Sequence, residues 1–520
     1  MRLHDFLDYQ ARERPEAEFA VQGTRRIVYR EALAHVHQLA RALTKAGVAP
    51  GDRIGFLGKN SIEHVLMFFG ASKAGAVPVP LNYRLAPPEW KYIVNDAGAK
   101  LLIAAGDFAT AVDAIRSELH TVERFVALDV TPRPTGWQDY RSWLAAEPTT
   151  PLDSRATADD DVYQMYTSGT TGRPKGAVLT HRAVIANIIQ QTLALPAFAP
   201  EERFLVVTPL YHATAAVSAF MSAFVGGSIY IQEDFNPFEV VRVLSEERIR
   251  RTVLVPAMIQ ACLVSVPDVG ERRYDNLRLI GYGASPISEV TLRRALGVFK
   301  CDFTQGYGMT ELTSALTFLS AADHQRALRE RPSLLLSAGR PLMGSEVGIV
   351  DEHDNPVPPG TIGEVVGRGP QVMRGYWNLP DASAHALRGG WMHTGDAGFL
   401  DEDGYLYLQD RVKDMIVSGG ENIYPREVEE VLYTHPAVAD AAVIGVPDEQ
   451  FGEAVKALIV LRDGTTATPE EIMEFCKGKL AGYKRPRSVE FRSSLPRNPS
   501  GKTLKRELRE PYWAGRQRRV

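Results

Sequence analysis

Cysteine is scarce: the 520 residues hold three, Cys262, Cys301 and Cys476, odd in number and far apart. Such spacing offers neither a disulfide framework nor a zinc-ligand pattern, and it suits a reducing, cytoplasmic compartment. An excess of one charge is missing too. With 59 Lys and Arg against 63 Asp and Glu, the net charge is −4, so there is no basic field for nucleic acid and no acidic tail, and recognition must come from a local site. Met1 to Gln10 mixes Arg, His and Asp with apolar residues and has no central apolar stretch, so no signal peptide is expected. Internal repeats and low-complexity tracts are absent. One long run, Phe204 to Gln232, carries no Asp, Glu, Lys or Arg and is long enough to span a bilayer. Pro209 and Gly226-Gly227 interrupt it, so it reads as strand, helix and strand, with no membrane span.

What is present is a concentrated loop. Tyr166-Thr-Ser-Gly-Thr-Thr-Gly-Arg-Pro-Lys-Gly176 gathers four small hydroxylated side chains, three glycines and a lysine directly before the apolar Ala177-Val178-Leu179. Glycine lets backbone N–H groups approach an anion, Thr167, Ser168, Thr170 and Thr171 can donate further hydrogen bonds, and Lys175 adds a point charge. A Gly/Ser/Thr run standing alone is usually a linker. Pro174, Lys175 and the following strand-like run are not linker features, so the loop predicts a bound polyphosphate. It is not a Walker loop, because Gly169 is followed by Thr170-Thr171-Gly172-Arg173-Pro174, and Gly501-Lys502-Thr503 has Pro496 where that pattern needs glycine.

At this length the chain can form about three average domains. Over the first four hundred residues apolar runs alternate with helical patterns: helix Ile62 to Ala74, strand 76–80, helix Pro88 to Ala97, strand 100–104, and strand 277–281 before a helix capped by Ser285 with Pro286 first. That alternation predicts an α/β fold with largely parallel sheets. From Pro425 the pattern changes to helix Arg426 to Thr434, strands Asp440 to Gly445 and Ala454 to Leu461, helix Pro469 to Leu480 and strand Ser488 to Arg492. This is a smaller α+β unit, in which Thr468-Pro469-Glu470-Glu471 supplies a capping box and Cys476 falls on a core face.

The order Thr167-Ser-Gly-Thr-Thr-Gly-Arg-Pro-Lys-Gly176 resembles the signature loop of the AMP-forming adenylating superfamily, which includes acyl-CoA synthetases, nonribosomal-peptide adenylation domains and beetle luciferases. Further motifs agree, in the family's order. Tyr307-Gly308-Met309-Thr310-Glu311 resembles its adenine and magnesium motif, and His393-Thr394-Gly395-Asp396 its ribose motif. Asp410-Arg411-Val412-Lys413-Asp414 resembles its hinge, Gly419-Gly420-Glu421-Asn422-Ile423 its mobile glycine loop, and Pro499-Ser500-Gly501-Lys502 its C-terminal lysine loop.

The resemblance implies an N-terminal adenylate-forming domain, 1–411, of layered, largely parallel sheets with flanking helices. A small mobile α+β C-terminal domain, 412–520, would carry the catalytic Lys502. The implied reaction joins a carboxylic acid to ATP as acyl-AMP with release of pyrophosphate, then transfers the acyl group to coenzyme A. Both reactants are anions, so the site must cancel repulsion and stabilise the departing pyrophosphate. By resemblance Thr167, Ser168, Gly169, Thr170, Thr171, Gly172 and Lys175 hold the phosphates, Glu311 holds Mg2+, and Thr310 reaches the α-phosphate. Gly283, Ala284 and Ser285 also bind the nucleotide, Tyr307 offers a face to the adenine, and Asp396 and Arg411 bind the ribose. Lys413 is the hinge, and Gly419, Gly420 and Glu421 form the loop that replaces Lys502 for thioester formation. Asp410 stands where the family usually has glycine, which alters the hinge backbone but not the reaction.

The acyl pocket is implied near Tyr211, Ala213, Val217, Gly281 and Gly306. His212 looks like the aromatic gate between pocket and thiol channel, although a lone histidine beside an apolar run is as often structural. The small aliphatic residues around it and the lack of a nearby lysine or arginine in that stretch predict an uncharged tail, and Gly306 leaves room for more than acetate. A medium- or long-chain fatty acid or an aryl acid is therefore expected. A carrier-protein-loading enzyme, a luciferase-like oxygenase and a non-catalytic nucleotide-binding homologue remain alternatives. The lack of a carrier segment after Lys502 favours CoA, and retention of Glu311 and Lys502 favours turnover. The arginines of the 511–520 tail read as a solvated terminus. A homodimer stays open.

Overall fold

Helix ends follow capping chemistry that the sequence spells out. Ser61 accepts a hydrogen bond from the His64 N–H at the start of helix Ile62–Ala74, and Gly75, at φ 79°, closes it. Thr468 and Glu471 form the expected reciprocal box before helix Pro469–Phe475. That helix stops short of Leu480: Cys476 sits at its end, and Gly478 turns the chain left-handed at φ 77°. Cys476 is buried, as the helical face predicts.

The structure is a computed structural model and describes residues 1–167, 173–285, 287, 289–411, 414–418, 421–497 and 503–514, with side chains 410, 411 and 422 left aside. Ser168, Gly169, Thr170, Thr171, Gly172, Pro286, Lys413, Gly419, Gly420 and Lys502 lie outside the described residues. The helix assigned from Pro286 is described as Glu289–Phe299.

Two parallel-rich sheets make the large part. One runs in the order Val77–Leu81, Arg53–Leu57, Leu101–Ala105, Arg124–Leu128, Gln138–Asp139, parallel throughout. The other has nine strands, with Glu18–Gln22, Ser228–Ile231, Arg203–Val206, Ile249–Leu254, Leu279–Gly283 and Asp302–Tyr307 parallel in its middle and antiparallel strands at both edges. Connections between neighbouring parallel strands run through helices such as Ala213–Val225, whose length is almost wholly buried. The uncharged run Phe204 to Gln232 thus becomes strand, helix and strand, and among the described residues no helix is long and apolar enough to cross a membrane.

Two smaller sheets complete this part. Asp161–Thr167, Lys175–Thr180 and Gly375–Tyr376 form an antiparallel triplet, and Glu346–Val350, Gly363–Arg368, Met392–Leu400 and Leu406–Arg411 form an antiparallel quartet. Beyond these, Ile416–Ser418, Glu421–Ile423, Val438–Asp448, Gly452–Leu461 and Ser488–Phe491 build a separate mixed sheet. It has its own core, including Ile416, Val428, Val443, Val455, Ile472 and Cys476. The chain is thus a large α/β body followed by a smaller α+β unit.

Candidate active site

Strands Ile249–Leu254, Leu279–Gly283 and Asp302–Tyr307 run in parallel and end on the same edge of the nine-stranded sheet. Ligands in such sheets bind beyond the carboxyl ends of the strands, where loops depart and backbone N–H groups are unpaired. Immediately past Tyr307 the chain makes a short turn, Thr310–Leu312, that carries Glu311. Thr313 follows at φ 65°, ψ −59°, a conformation that strains a β-branched residue and that its surroundings must hold. Its hydroxyl donates to the Gln371 carbonyl at 2.7 Å, and the Met373 N–H donates to the Glu311 carbonyl at 2.8 Å.

Glu311 is buried, with 4% of its surface exposed. The Thr167 hydroxyl donates to its Oε1 at 3.2 Å, and the Tyr376 hydroxyl donates to the same oxygen at 2.8 Å. Burial, with the Glu311 charge next, pushes the Tyr376 hydroxyl well above the usual phenol range, so it stays a donor. Among the described residues Glu311 forms no ion pair, and Oε2 is left for a cation. A buried carboxylate without a counter-charge is costly, so this donor set fits a hard divalent ion with oxygen ligands.

Thr167 and Lys175 pair across the base of the signature loop. The Lys175 ammonium lies 5.0 Å above the Tyr376 ring, a cation–π contact that holds it beside Glu311. On the other side, the Tyr307 hydroxyl donates to Asp396 Oδ2 at 2.9 Å. Tyr307, Asp396, Thr167, Lys175 and Glu311, far apart in the chain, therefore meet in one place. Arg411 sits opposite Asp396 in the strand register.

Gly283 faces Gly306 across neighbouring strands so closely that a Cβ on Gly283 would lie 2.2 Å from the Gly306 carbonyl oxygen. The next residue, Ala284, has φ 65°, and Ser285 completes the turn. Gly306 has a different role from the one its missing side chain suggests. A Cβ there would meet Phe318 Cε1 at 2.9 Å, so the space is taken by a ring of the adjacent strand and is no opening in a pocket floor. A Cβ on Gly281 would press on Val253 Cγ2 at 3.1 Å.

His212 precedes helix Ala213–Val225 but does not cap it. Its Nε2 is buried and has no hydrogen-bond partner among the described residues. Burial, aided by the Arg84 charge, lowers its pKa to about 4, so the ring is neutral at physiological pH. Ala213 and Val217 are buried on the same helix, and Thr214 is linked to Ser314 at 3.4 Å, which sets the helix beside the Glu311 turn. The Tyr211 ring lies 4.5 Å from that of His212 and meets Tyr83 edge-on at 5.6 Å, within the cluster of Leu81, Trp90 and Phe108.

Sequence reasoning missed Tyr376, Glu364 and Arg84. Glu364 accepts from the Gly395 N–H at 3.0 Å beside Asp396. Arg84 brings a positive charge near His212, from a loop remote in sequence, and pairs with Asp234 at 2.9 Å. No local pattern marks any of the three, because each acts across a contact between distant segments.

Such a gathering of phosphate-type donors, a lone buried carboxylate and a tyrosine–aspartate pair at a parallel sheet edge is that of a nucleotide-using enzyme. Comparison with known proteins gives the family. The model for AMP-binding enzymes matches residues 7–377 and that for the AMP-binding enzyme C-terminal domain matches 427–502, so the chain belongs to the AMP-binding enzyme family, the adenylate-forming acid–thiol ligases. It is 38% identical over 518 residues to the fatty acid–[acyl-carrier-protein] ligase ScoC of Streptomyces coeruleorubidus, covering 98% of this chain and 96% of that one. It is 39% identical over 504 residues to a feruloyl-CoA synthase of an Amycolatopsis species, with 97% of each covered. A solved Mycobacterium tuberculosis fatty acyl CoA synthetase matches with a TM-score of 0.78 at 33% identity over 99% of both chains.

Proposed function

We propose that this ligase activates a medium- or long-chain fatty acid or an aryl acid, with no charge beyond its carboxylate, as acyl-AMP and passes the acyl group to coenzyme A. The observation that carries the reading is the convergence of Thr167 and Tyr376 on buried Glu311, beside Lys175. Glu311 Oε2 would hold the magnesium of the nucleotide, and the ion would neutralise charge developing on the departing pyrophosphate. Lys175 and the Thr167 end of the loop orient the phosphates, and Tyr307 and Asp396 fix the nucleoside end. The names of relatives support fatty and aryl acids as substrates.

The second half-reaction needs the acyl carbon opened to a thiol. Here the small unit, from about residue 412, turns about Lys413, withdrawing Lys502 and presenting the glycine loop that ends at Glu421. His212, neutral and with Nε2 unpartnered among the described residues, suits a ring that swings aside without breaking a hydrogen bond at that nitrogen.

Pyrophosphate release, measured with ATP and magnesium across acids from acetate through long-chain fatty acids to hydroxycinnamates, each with and without CoA, tests this. Turnover with apolar long or aryl acids, and thioester only with CoA, is the expected result. Turnover with acetate alone would overturn the acid class, and adenylate that passes only to a phosphopantetheinylated carrier would overturn the acceptor. A second expectation separates the halves. Lys502→Ala should abolish adenylation yet retain most thioester formation from presynthesised acyl-adenylate, and equal loss of both would contradict the domain rotation.

A further inference from the structure

Asp396 stands on an irregular stretch of strand. In the pairing of Gly363–Arg368 with Met392–Leu400, Glu364 faces Ala397 and Val366 faces His393, so His393 to Ala397 bulges outward relative to its partner. A bulge re-aims a side chain and leaves local backbone groups without ladder partners. Here those groups are claimed individually. The Thr394 hydroxyl donates to the Val365 carbonyl at 2.7 Å and accepts from the Asp396 N–H at 3.1 Å. Gly395 takes φ 70°, and its N–H donates to Glu364 Oε1 at 3.0 Å.

The other oxygen of Glu364 is equally engaged. Oε2 lies 2.9 Å from His393 Nδ1 and accepts from Arg388 Nη2 at 3.3 Å. Arg388 is itself fixed by a two-point pair with Asp354, 2.8 Å at each end. Asp354, Glu364 and His393 offer three potential ligand atoms within 4.8 Å of one another, yet the Arg388 guanidinium already supplies the positive charge to both carboxylates. The cluster is therefore an internal clamp and not a metal site.

We infer that Glu364 is a positioning residue for the nucleoside: by holding the Gly395 N–H and the His393 ring with its two oxygens, it sets the bulge that aims the Asp396 carboxylate. The inference rests on the reading that Asp396 binds the ribose hydroxyls. A carboxylate is required for the clamp, since one oxygen faces the Gly395 N–H and the other faces His393 and Arg388. A glutamine amide has a single acceptor oxygen and must turn its NH2 toward one of these donors.

The test compares ATP with 2′-deoxyATP and 3′-deoxyATP, reading kcat and KM for each in wild type, Asp396→Ala, Glu364→Ala and Glu364→Gln. The wild type should favour ATP, and Asp396→Ala should bring the three nucleotides to near equality. In Glu364→Ala the KM for ATP should rise about tenfold, as for loss of a charge-assisted hydrogen bond, while the KM for each deoxynucleotide, which keeps one hydroxyl for Asp396, rises less. Glu364→Gln should fall between, and it supplies the same ratio where Glu364→Ala is too unstable to assay. Adding Glu364→Ala to Asp396→Ala should cost nothing further in discrimination. If Asp396→Ala keeps the wild-type preference, the ribose reading fails and the inference with it. If Asp396→Ala loses the preference while both Glu364 variants keep it, the ribose reading stands and the inference is overturned.

Discussion

Glu311→Gln should lower ATP-dependent pyrophosphate release by about 100- to 1000-fold, the usual scale for removing one electrostatic contact to a transition state. The substitution preserves shape: the amide oxygen can still accept from Thr167 and Tyr376, which both address Oε1. What is lost is the negative charge and the acceptor at Oε2, where the amide places an NH2. Because that charge is buried with no ion pair among the described residues, its removal should also raise the unfolding temperature of the nucleotide-free protein. A buried charge without an ion pair of its own costs stability even with the Lys175 ammonium nearby, and its neutralisation relieves about 1 kcal/mol. The paired measurement is steady-state turnover against scanning calorimetry without nucleotide. A fall in both rate and melting temperature would mean that Glu311 serves folding, and an unchanged rate would remove it from the chemistry.

Lowering the pH from neutral should unfold the protein between about pH 6 and 4, more steeply than carboxylates alone would produce. Burial lowers the pKa of His35, His181 and His212 to about 4 and that of His64 to about 3, from 6.5. The sign follows from proton uptake. Below pH 6.5 the unfolded chain protonates these rings while the native protein refuses the proton until near pH 4, so stability is fully present above 6.5 and drains away below it. Each ring contributes about 1.4 kcal/mol per pH unit in that window, so four together remove roughly 5–6 kcal/mol per unit, comparable with the whole stability of a typical domain. His64 shows the cause most clearly. It is stacked against Phe56 at 4.2 Å and Phe68 at 5.7 Å, and its Nε2 has no hydrogen-bond partner among the described residues. His64→Leu should therefore move the acid midpoint, followed by tryptophan fluorescence, to lower pH by a few tenths of a unit. An unmoved midpoint would mean that another group controls the transition.

The fold was legible wherever local chemistry decides it. The capping box of Thr468 with Glu471 and the break at Gly226-Gly227 each act within a few residues, and the helix start and the strand–helix–strand pattern they predict both form. The two misjudged details are also informative. Helix Pro469–Phe475 is shorter than its apolar spacing suggests because Gly478 can turn left-handed, and periodicity does not register that freedom. Gly306 looked like an opening because a sequence shows the missing side chain but not the Phe318 ring that fills its place. Composition alone marked the phosphate loop with Thr167 and Lys175, whereas Glu311 and Asp396 were readable only through motif order, which named neither Tyr376 nor Glu364. Those two act through hydrogen bonds spanning 65 and 31 residues, and nothing beside them in the chain marks the contact.

The placement of strand Glu18–Gln22 beside Ser228–Ile231 has a consequence for biosynthesis. At about 5–20 residues per second on the ribosome, the segment must wait on the order of ten seconds or more for its neighbour to emerge. The catalytic gathering waits longer, since Tyr376 and Asp396 are made last of its members. ATP therefore finds no complete seat until Asp396 has been made, and the nucleotide can stabilise the large body by mass action only once nearly all of that body has left the ribosome.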